Sequence, residues 1–305
     1  MTPPGPAPGD QAVIALYGPT AIGKTAVAIQ LAELLRARGE DPVAISADSI
    51  QVYAGLERLS GAATADERAR LEHRLLGFVE IGEEFSAGRF APLAHAEIDA
   101  ALAAGRRPIV VGGTGLYMRA ALFDLELRPP VAAAIRVAVE AELESRGAAA
   151  LHAELGAGAA GVHPNDRKRV ARLTELRRAG IDPHQGTDGL WNDAPRHPTV
   201  GFGLICERAQ LDRRIERRAR AIAAAGAGEE VRRAAAAGAS RTAGSAIGFA
   251  ELERGDVEAL VSSQRRFARR QLTWIRRTPG IRLIDREDAS DADVAASIFA
   301  ALPGA

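Results

Sequence analysis

Apolar residues in this chain form two patterns, short unbroken runs and longer stretches with helical spacing. The stretch 26–38 has apolar residues on one helix face, and 95–104 is rich in alanine, the best helix former. Around these predicted helices lie short apolar runs with the length of buried strands, at 12–17, 42–46, 108–111 and 199–206. Strands that alternate with helices predict an α/β fold with a parallel sheet, whose ligands bind at the carboxyl ends of the strands.

The pattern changes after the third predicted strand, where stretches rich in alanine, arginine and glutamate replace the apolar runs. We therefore predict a mainly helical insertion domain over 131–198, whose last part, 180–198, contains helix-breaking residues and is a loop. The α/β core then comprises 11–130 and 199–305, with C-terminal helices and one edge strand at 280–285.

The sequence GPTAIGKT follows the first predicted strand and precedes the first helix, and it matches the phosphate-binding pattern G-x4-G-K-[ST] at every required position. Its glycines let backbone N–H groups approach a phosphate, and the helix N-terminus adds positive potential. Lys24 would neutralise phosphate oxygens, and Thr25 is a candidate ligand for Mg²⁺. The fold class is therefore predicted to be a P-loop NTPase-like core. Its cradle, which fits triphosphates and diphosphate esters alike, comprises Gly18, Pro19, Thr20, Ala21, Ile22, Gly23, Lys24 and Thr25.

Two further motifs follow the second and third predicted strands, at the same edge of the sheet as the cradle. Asp48 begins the sequence DSIQVY, and its carboxylate can act as a magnesium ligand, as a general base, or only as a helix N-cap. The sequence GGTGLY at 112–117 permits a close backbone approach, and Thr114 offers a hydroxyl there. Taken alone, GGTGLY is a weak signal that is more typical of a turn than of a catalytic site.

The distribution of charge along the chain indicates a candidate binding partner. The whole chain is neutral, but residues 161–277 contain 23 basic residues against 14 acidic ones. This excess favours contact with a polyanion, although solvated helix faces explain it equally well. Lysine occurs only at Lys24 and Lys168, and every other basic residue is arginine.

The remaining composition excludes several classes of protein. A single cysteine, Cys206, excludes an internal disulfide and fits a reducing cytoplasm. No apolar run is long enough to span a membrane, and no Cys/His cluster has the spacing of a zinc site. Residues 1–10 are rich in proline and glycine, lack the pattern of a signal peptide, and are predicted to be a disordered tail.

Taken together, GPTAIGKT, SADSIQVY and VVGGTGLY resemble the motifs of the tRNA dimethylallyltransferase family. The resemblance continues in the same order through HPNDRKRVAR at 163–172, RIERR at 214–218 and QRRFARRQLTW at 264–274, and it spans 12–277. It implies transfer of a dimethylallyl group from dimethylallyl diphosphate to N6 of the adenosine immediately 3′ of the anticodon in tRNA. It also implies that the P-loop holds the diphosphate rather than ATP. We accordingly expect a cytoplasmic, monomeric, Mg²⁺-dependent enzyme whose partner is the anticodon stem-loop.

The resemblance also implies roles for individual residues. Asp48 matches the carboxylate that accepts the N6 proton, Thr114 matches a threonine beside the diphosphate, and Arg218 matches an arginine near it. With Lys24 these are the predicted catalytic residues. The residues that match tRNA-contacting positions are Asp48, Ser49, Ile50, Gln51, Arg136, Lys168, Arg169, Arg172, Arg269, Arg270, Gln271, Thr273 and Trp274.

The chain departs from the family pattern at four places. The stretch 59–63 reads Leu-Ser-Gly-Ala-Ala where the family has Gly-Thr-Ala-Lys-Pro, so a lysine and a proline are absent. The other departures are His73-Arg74 in place of two histidines, Ile22 in place of serine or glycine, and Gly248-Phe249 in place of Gly-Tyr.

Three other functions compete with this interpretation. An adenylate isopentenyltransferase would use free AMP as its acceptor, but the C-terminal signature and the basic second half favour tRNA. A P-loop kinase would share 18–25 but would not need DSIQVY or GGTGLY. An RNA-binding homologue could have lost activity through the altered 59–63 stretch, but Lys24, Asp48 and Thr114 are retained.

Overall fold

The protein contains a six-stranded parallel sheet. The computed structural model describes residues 12–125, 128–182 and 194–303. The predicted tail at 1–10 and part of the predicted loop at 180–198 lie outside the described residues. The strands are β1 (Val13–Tyr17), β2 (Pro42–Ser46), β3 (His73–Arg74), β4 (Arg107–Gly112), β5 (Thr199–Ile205) and β6 (Ile281–Asp285).

The strand order is β3-β2-β4-β1-β5-β6, and every described pairing is parallel. In register, Ile14 of β1 stands between Ile109 of β4 and Val200 of β5. All residues of β1 and β2 are buried, as expected for central strands of a parallel sheet that is covered on both faces. The predicted parallel α/β fold is confirmed.

Helices surround the sheet. Residues of α1, α9, α13 and α14 form one apolar core with β1, in which Leu31, Ile215, Ala268 and Ile298 join Ile14. The helices are α1 (Lys24–Ala37), α2 (Glu57–Ser60), α3 (Ala65–Arg70), α4 (Ala87–Ala103), α5 (Gly115–Leu122), α6 (Ala133–Arg146), α7 (Ala148–Leu155), α8 (Arg167–Arg178), α9 (Arg208–Ala224), α10 (Ala227–Ala236), α11 (Arg241–Gly244), α12 (Phe249–Glu253), α13 (Val257–Arg277) and α14 (Asp291–Ala300), and a 3₁₀ helix spans Gly156–Ala159.

The predicted elements match these bounds closely, with two exceptions. The helix predicted at 95–104 begins eight residues earlier, where the Ser86 hydroxyl accepts a hydrogen bond from Arg89 N, and it continues through Pro92. The prediction started late because proline interrupts a helical pattern in sequence. The short edge strand β3 was not predicted, since two residues are too few to form a pattern.

The chain divides into two compact units, 1–124 with 194–305, and Leu125–Asp193. The second unit contains α6, α7, the 3₁₀ helix and α8. Its own apolar core includes Val139, Leu143, Leu151 and Val170. The predicted insertion at 131–198 therefore overlaps this unit, which begins six residues earlier and ends five residues earlier.

The chain leaves and re-enters the first unit at neighbouring points. Arg196 N donates a hydrogen bond to Leu122 O at 2.9 Å, so the residues before and after the second unit are directly linked. Within the described residues, no helix is both long and apolar enough to cross a membrane.

Arg286 connects the edge of the sheet to the phosphate-binding loop. Its guanidinium is buried, donates from Nη1 to Ile22 O at 2.6 Å, and pairs with Asp291 at the start of α14. A Cβ added at Gly23 would lie 2.5 Å from Arg286 Nη1, which leaves no room for a side chain there.

We predict that Arg286→Met destabilises the protein by about 2 kcal/mol, because Ile22 O and Asp291 lose their buried partner. Urea unfolding measures the change. Arg282→Met is the control, since Arg282 is exposed on the neighbouring strand β6. Equal effects of the two variants on the free energy of unfolding would contradict the assigned role.

Candidate active site

The phosphate-binding loop connects β1 to α1 with two residues in the left-handed region, Ala21 (φ 64°) and Gly23 (φ 93°). Gly18 N donates to Gly112 O at 3.3 Å, which joins this loop to the end of β4. Ile22 is fully buried in the core, and a Cβ added at Gly18 would lie 2.7 Å from its Cγ2. The isoleucine that distinguishes this loop from the family pattern therefore anchors the loop by packing.

Lys24 is the first residue of α1, and its ammonium points back over the loop. Nζ donates to Gly18 O at 2.9 Å and to Pro19 O at 3.0 Å. Burial lowers the pKa of Lys24 to about 8; Asp48 acts to raise it and Arg218 to lower it further. Lys24 therefore lies within electrostatic range of the other two charged groups predicted from sequence.

Arg218 reaches the same loop from α9. Its Nη1 donates to Thr20 Oγ1 at 2.8 Å and its Nη2 donates to Ser60 O at 3.1 Å. Burial lowers the pKa of Arg218, and the Asp48 carboxylate opposes this effect. Two half-buried cations thus stand beside the cradle, and an anion bound there would offset the cost of partly removing them from water.

Asp48 lies in the turn that follows β2. Its Oδ1 accepts hydrogen bonds from Ile50 N at 2.9 Å and from Gln51 N at 3.4 Å. No helix starts here; the next helix begins at Glu57, so the helix N-cap alternative is wrong. The carboxylate closes a turn instead, and its two hydrogen bonds to backbone amides fix its position after β2.

The GGTG turn after β4 packs directly on the cradle. A Cβ added at Gly113 would lie 2.8 Å from Gly18 O and 3.3 Å from Lys24 Nζ. Thr114 follows, and among the described residues its Oγ1 is buried without a hydrogen-bond partner. A buried hydroxyl that lacks a partner is unusual, and at this position it is suited to bind a substrate oxygen.

Helix α13 contributes two residues to the same site. Gln271 is buried and its Oε1 accepts from Thr20 N at 2.8 Å, while a Cβ added at Gly113 would lie 2.3 Å from its Nε2. Trp274 packs on Gly115, where an added Cβ would lie 2.3 Å from the indole. Both belong to the predicted tRNA-contacting set; the structure places Gln271 against the cradle and Trp274 against the GGTG turn.

The other predicted residues of α13 do not belong to the buried part of the helix surface. Arg269, Arg270 and Thr273 are exposed. A cavity of about 570 Å³ opens between α9 and α13. Its lining includes Thr273, the carboxylate Asp212, which pairs with Arg265, and five arginines, Arg208, Arg265, Arg266, Arg269 and Arg276.

Four predicted tRNA-contacting residues belong to the Leu125–Asp193 unit. Lys168 and Arg169 are exposed on α8, and Arg136 is half-buried on α6. Arg172 donates to Arg128 O at 3.3 Å and pairs with Glu175 at 3.1 Å, so its guanidinium has partners within its own unit.

The divergent 59–63 stretch reaches the site through its backbone. Ser60 ends α2, and Gly61 follows with φ 63°. Gln51 Nε2 donates to Gly61 O at 3.1 Å, and the Gln51 side chain also accepts from Ser46 Oγ at 2.8 Å. These contacts cannot be read from the sequence, because the groups that accept from Arg218 and Gln51 are main-chain carbonyls.

The site combines an anion cradle, two cations, a fixed carboxylate and a buried hydroxyl, as expected for an enzyme that transfers a group from a phosphate ester. The fold agrees with a solved relative. The full-length tRNA isopentenylpyrophosphate transferase of Bacillus halodurans superposes with a TM-score of 0.69 and 30% identity, over 95% of this chain and 95% of that chain.

Sequence comparison gives the same class of enzyme. The tRNA dimethylallyltransferase of Anaeromyxobacter dehalogenans (strain 2CP-C) is 42% identical over 283 residues, which are 88% of this chain and 93% of the relative. That of Rhodospirillum centenum is also 42% identical, over 88% of this chain and 90% of the relative. The protein is therefore a prenyltransferase.

Family models define it further. The model described as IPP transferase matches residues 51–278, and the one described as Isopentenyl transferase matches 11–79. The chain belongs to the IPP transferase family, which confirms the resemblance found in the sequence.

The pKa of Lys24 predicts that pyrophosphate binds more weakly as the pH rises above about 8. Below that pH the ammonium is charged and attracts the anion; above it, binding must first take up a proton, which reduces affinity by up to about tenfold per pH unit. Calorimetric titration with pyrophosphate on both sides of this pH measures the change. Lys24→Met is the control for the ionisation of pyrophosphate itself, and an equal pH dependence in parent and variant would contradict the prediction.

Proposed function

We propose that this protein transfers a dimethylallyl group from dimethylallyl diphosphate to N6 of the adenosine immediately 3′ of the anticodon in tRNA, and releases diphosphate. The names of its relatives support the tRNA acceptor. The arrangement of the cradle, Asp48 and Thr114 at one edge of the sheet supports the chemistry.

The proposed reaction exchanges one bond for another. The allylic C–O bond of the donor breaks, and its electron pair leaves with the diphosphate. The lone pair of the adenine N6 forms the new C–N bond, and one N6 proton moves to Asp48. An exocyclic amine is a poor nucleophile because its lone pair is delocalised into the ring, so a positioned base contributes about 10²–10⁴-fold to the rate.

The cradle stabilises the leaving group. Charge develops on the diphosphate as the C–O bond breaks, and Lys24, Arg218 and the N-terminal amides of α1 hold positive potential there before the reaction begins. The buried Thr114 hydroxyl has the donor that a bridging or terminal phosphate oxygen requires. These groups favour the transition state because they are already in place.

Oxygen donors at the cradle fit Mg²⁺. Mg²⁺ in phosphoryl sites takes one or two protein oxygens and completes its shell with substrate phosphates and water. Thr25, on the first turn of α1, supplies such an oxygen, and the described residues contain no cluster of three His, Cys, Asp or Glu that would form a separate metal centre. When bound, the ion would neutralise charge on the diphosphate.

The acceptor must enter the site as an extruded base. Enzymes that modify a base remove it from its stack, and loops of RNA expose such bases more readily than helices. Ser49, Ile50 and Gln51 form the turn beside Asp48, and contact of this turn with the adenosine is part of the proposal. The exposed cations of α8 and the arginine-lined cavity at α13 are suited to phosphates of the stem, as is typical of contacts that position RNA.

One observation carries the proposal: Asp48 lies within electrostatic range of both Lys24 and Arg218. A base next to the leaving-group cations is what an amine acceptor requires. A P-loop kinase would also need the cradle, but the comparisons favour the prenyltransferase.

The test uses purified protein, Mg²⁺ and labelled dimethylallyl diphosphate with two acceptors in parallel, unmodified tRNA and AMP. Label at the adenosine beside the anticodon supports the proposal. Label in AMP alone moves the protein to the free-nucleotide enzymes. Label in neither refutes prenyl transfer under these conditions, and ATP binding then tests the kinase.

We predict that Asp48→Asn reduces the single-turnover rate of transfer by about 10²–10⁴-fold, because the amide keeps the turn but cannot accept the N6 proton. Filter binding should show unchanged affinity for tRNA. Asp41→Asn is the control, because Asp41 is exposed and lies immediately before β2, whereas Asp48 follows the end of that strand. A near-normal rate in Asp48→Asn would remove Asp48 from this role.

A further inference from the structure

Glu230 on α10 is a buried carboxylate outside every motif of the sequence, with only 3% of its side chain exposed. Its Oε2 accepts from Arg58 N at 3.0 Å and its Oε1 accepts from Leu59 N at 2.9 Å. These amides lie in the first turn of α2, where no carbonyl within the helix can satisfy them. Glu230 therefore caps α2 from a different helix.

The other end of α2 reaches the active site. Ser60 O accepts from Arg218 Nη2, and Gly61 O accepts from Gln51 Nε2, both at 3.1 Å. Arg218 also donates a hydrogen bond from its Nη1 to the Thr20 hydroxyl of the cradle. A shift of α2 would therefore move two side chains of the site at once.

We propose that Glu230 is a positioning residue for prenyl transfer. By fixing α2 it holds Ser60 O and Gly61 O, and these carbonyls orient Arg218 toward the diphosphate and Gln51 beside the Asp48 turn. Glu230 touches no reacting atom and acts only through these two residues. The inference rests on the proposed function for its catalytic part.

This role also explains how the chain tolerates its divergent 59–63 stretch. Both contacts of the segment with the site use carbonyl oxygens rather than side-chain groups, and the side-chain constraint is at Gly61, where an added Cβ would lie 2.2 Å from Arg218 Nη2. What must be preserved is the position of the backbone, and the capping carboxylate supplies it. The buried charge has hydrogen-bonded amides as partners, which reduces the cost of removing it from water.

The experiment compares Glu230→Gln with Glu229→Gln. Glu229 is the adjacent residue of α10, but it is exposed and pairs with Arg232. Glu230→Gln keeps the size of the side chain and one acceptor oxygen, but its NH₂ group would face one of the two backbone N–H groups. We expect the single-turnover rate of Glu230→Gln to fall about tenfold to a hundredfold, with weaker pyrophosphate binding and unchanged tRNA affinity. The Glu229→Gln variant should match the parent.

A double-mutant cycle separates positioning from a general loss of structure. In an Arg218→Met background, Glu230→Gln should lose most of its effect on pyrophosphate binding, because the residue through which it acts is gone. The same factor in both backgrounds would show that Glu230 acts elsewhere. A single-turnover rate within about twofold of the parent would also overturn the proposal.

A second variant covers the case in which Glu230→Gln does not fold. A Cβ at Gly61 would lie 2.2 Å from Arg218 Nη2, so Gly61→Ala disturbs the same alignment without touching Glu230. A normal transfer rate in this variant would refute the role of α2. Pyrophosphate titration needs no acceptor, so it tests the positioning even if the parent fails to modify tRNA and the proposed function is wrong.

Discussion

The site depends on a close approach of backbones at the carboxyl edge of the sheet. A methyl group added at Gly112 would lie 2.4 Å from Ala47 O, and one added at Gly113 would lie 2.8 Å from Gly18 O. The loops after β1, β2 and β4 therefore touch through their main chains. Because these strands are neighbours in parallel register, the turns that carry Asp48 and Thr114 lie at the same edge of the sheet.

The charged groups at the carboxyl edge of the sheet determine which kind of ligand fits there. Burial lowers the pKa of both Lys24 and Arg218, and the single carboxylate of Asp48 opposes this effect for both. Two cations thus stand against one anion at this edge of the sheet. An anionic ligand with several charged oxygens, such as a diphosphate, is the chemistry that would balance these groups.

The sequence was sufficient for the parts of the site that are local. The cradle, the Asp48 turn and the GGTG turn each follow a buried strand, and parallel topology brings strand ends together. The strand at 42–46 was predicted at its observed bounds, because it is a short apolar run preceded by charged residues. The confirmed fold follows from the same alternation of strands and helices.

What the sequence did not reveal depends on contacts between distant residues. Gln271 is separated from Thr20 by 251 positions, and Glu230 from Leu59 by 171, so no periodicity connects them. Gln271 stood within a motif but its partner could not be read from spacing. Glu230 stood in an alanine-rich helix where an exposed glutamate is the ordinary expectation, and only packing shows that it is buried.

The hydrogen bond between Arg196 N and Leu122 O has a consequence for how such proteins diversify. This bond joins the residues just before and just after the Leu125–Asp193 unit. The whole unit is therefore inserted in the core as a single long loop whose two ends are held together. The entropy of closing a loop grows only slowly with its length. Evolution can therefore lengthen, shorten or exchange this module at little cost to the stability of the sheet that carries the site.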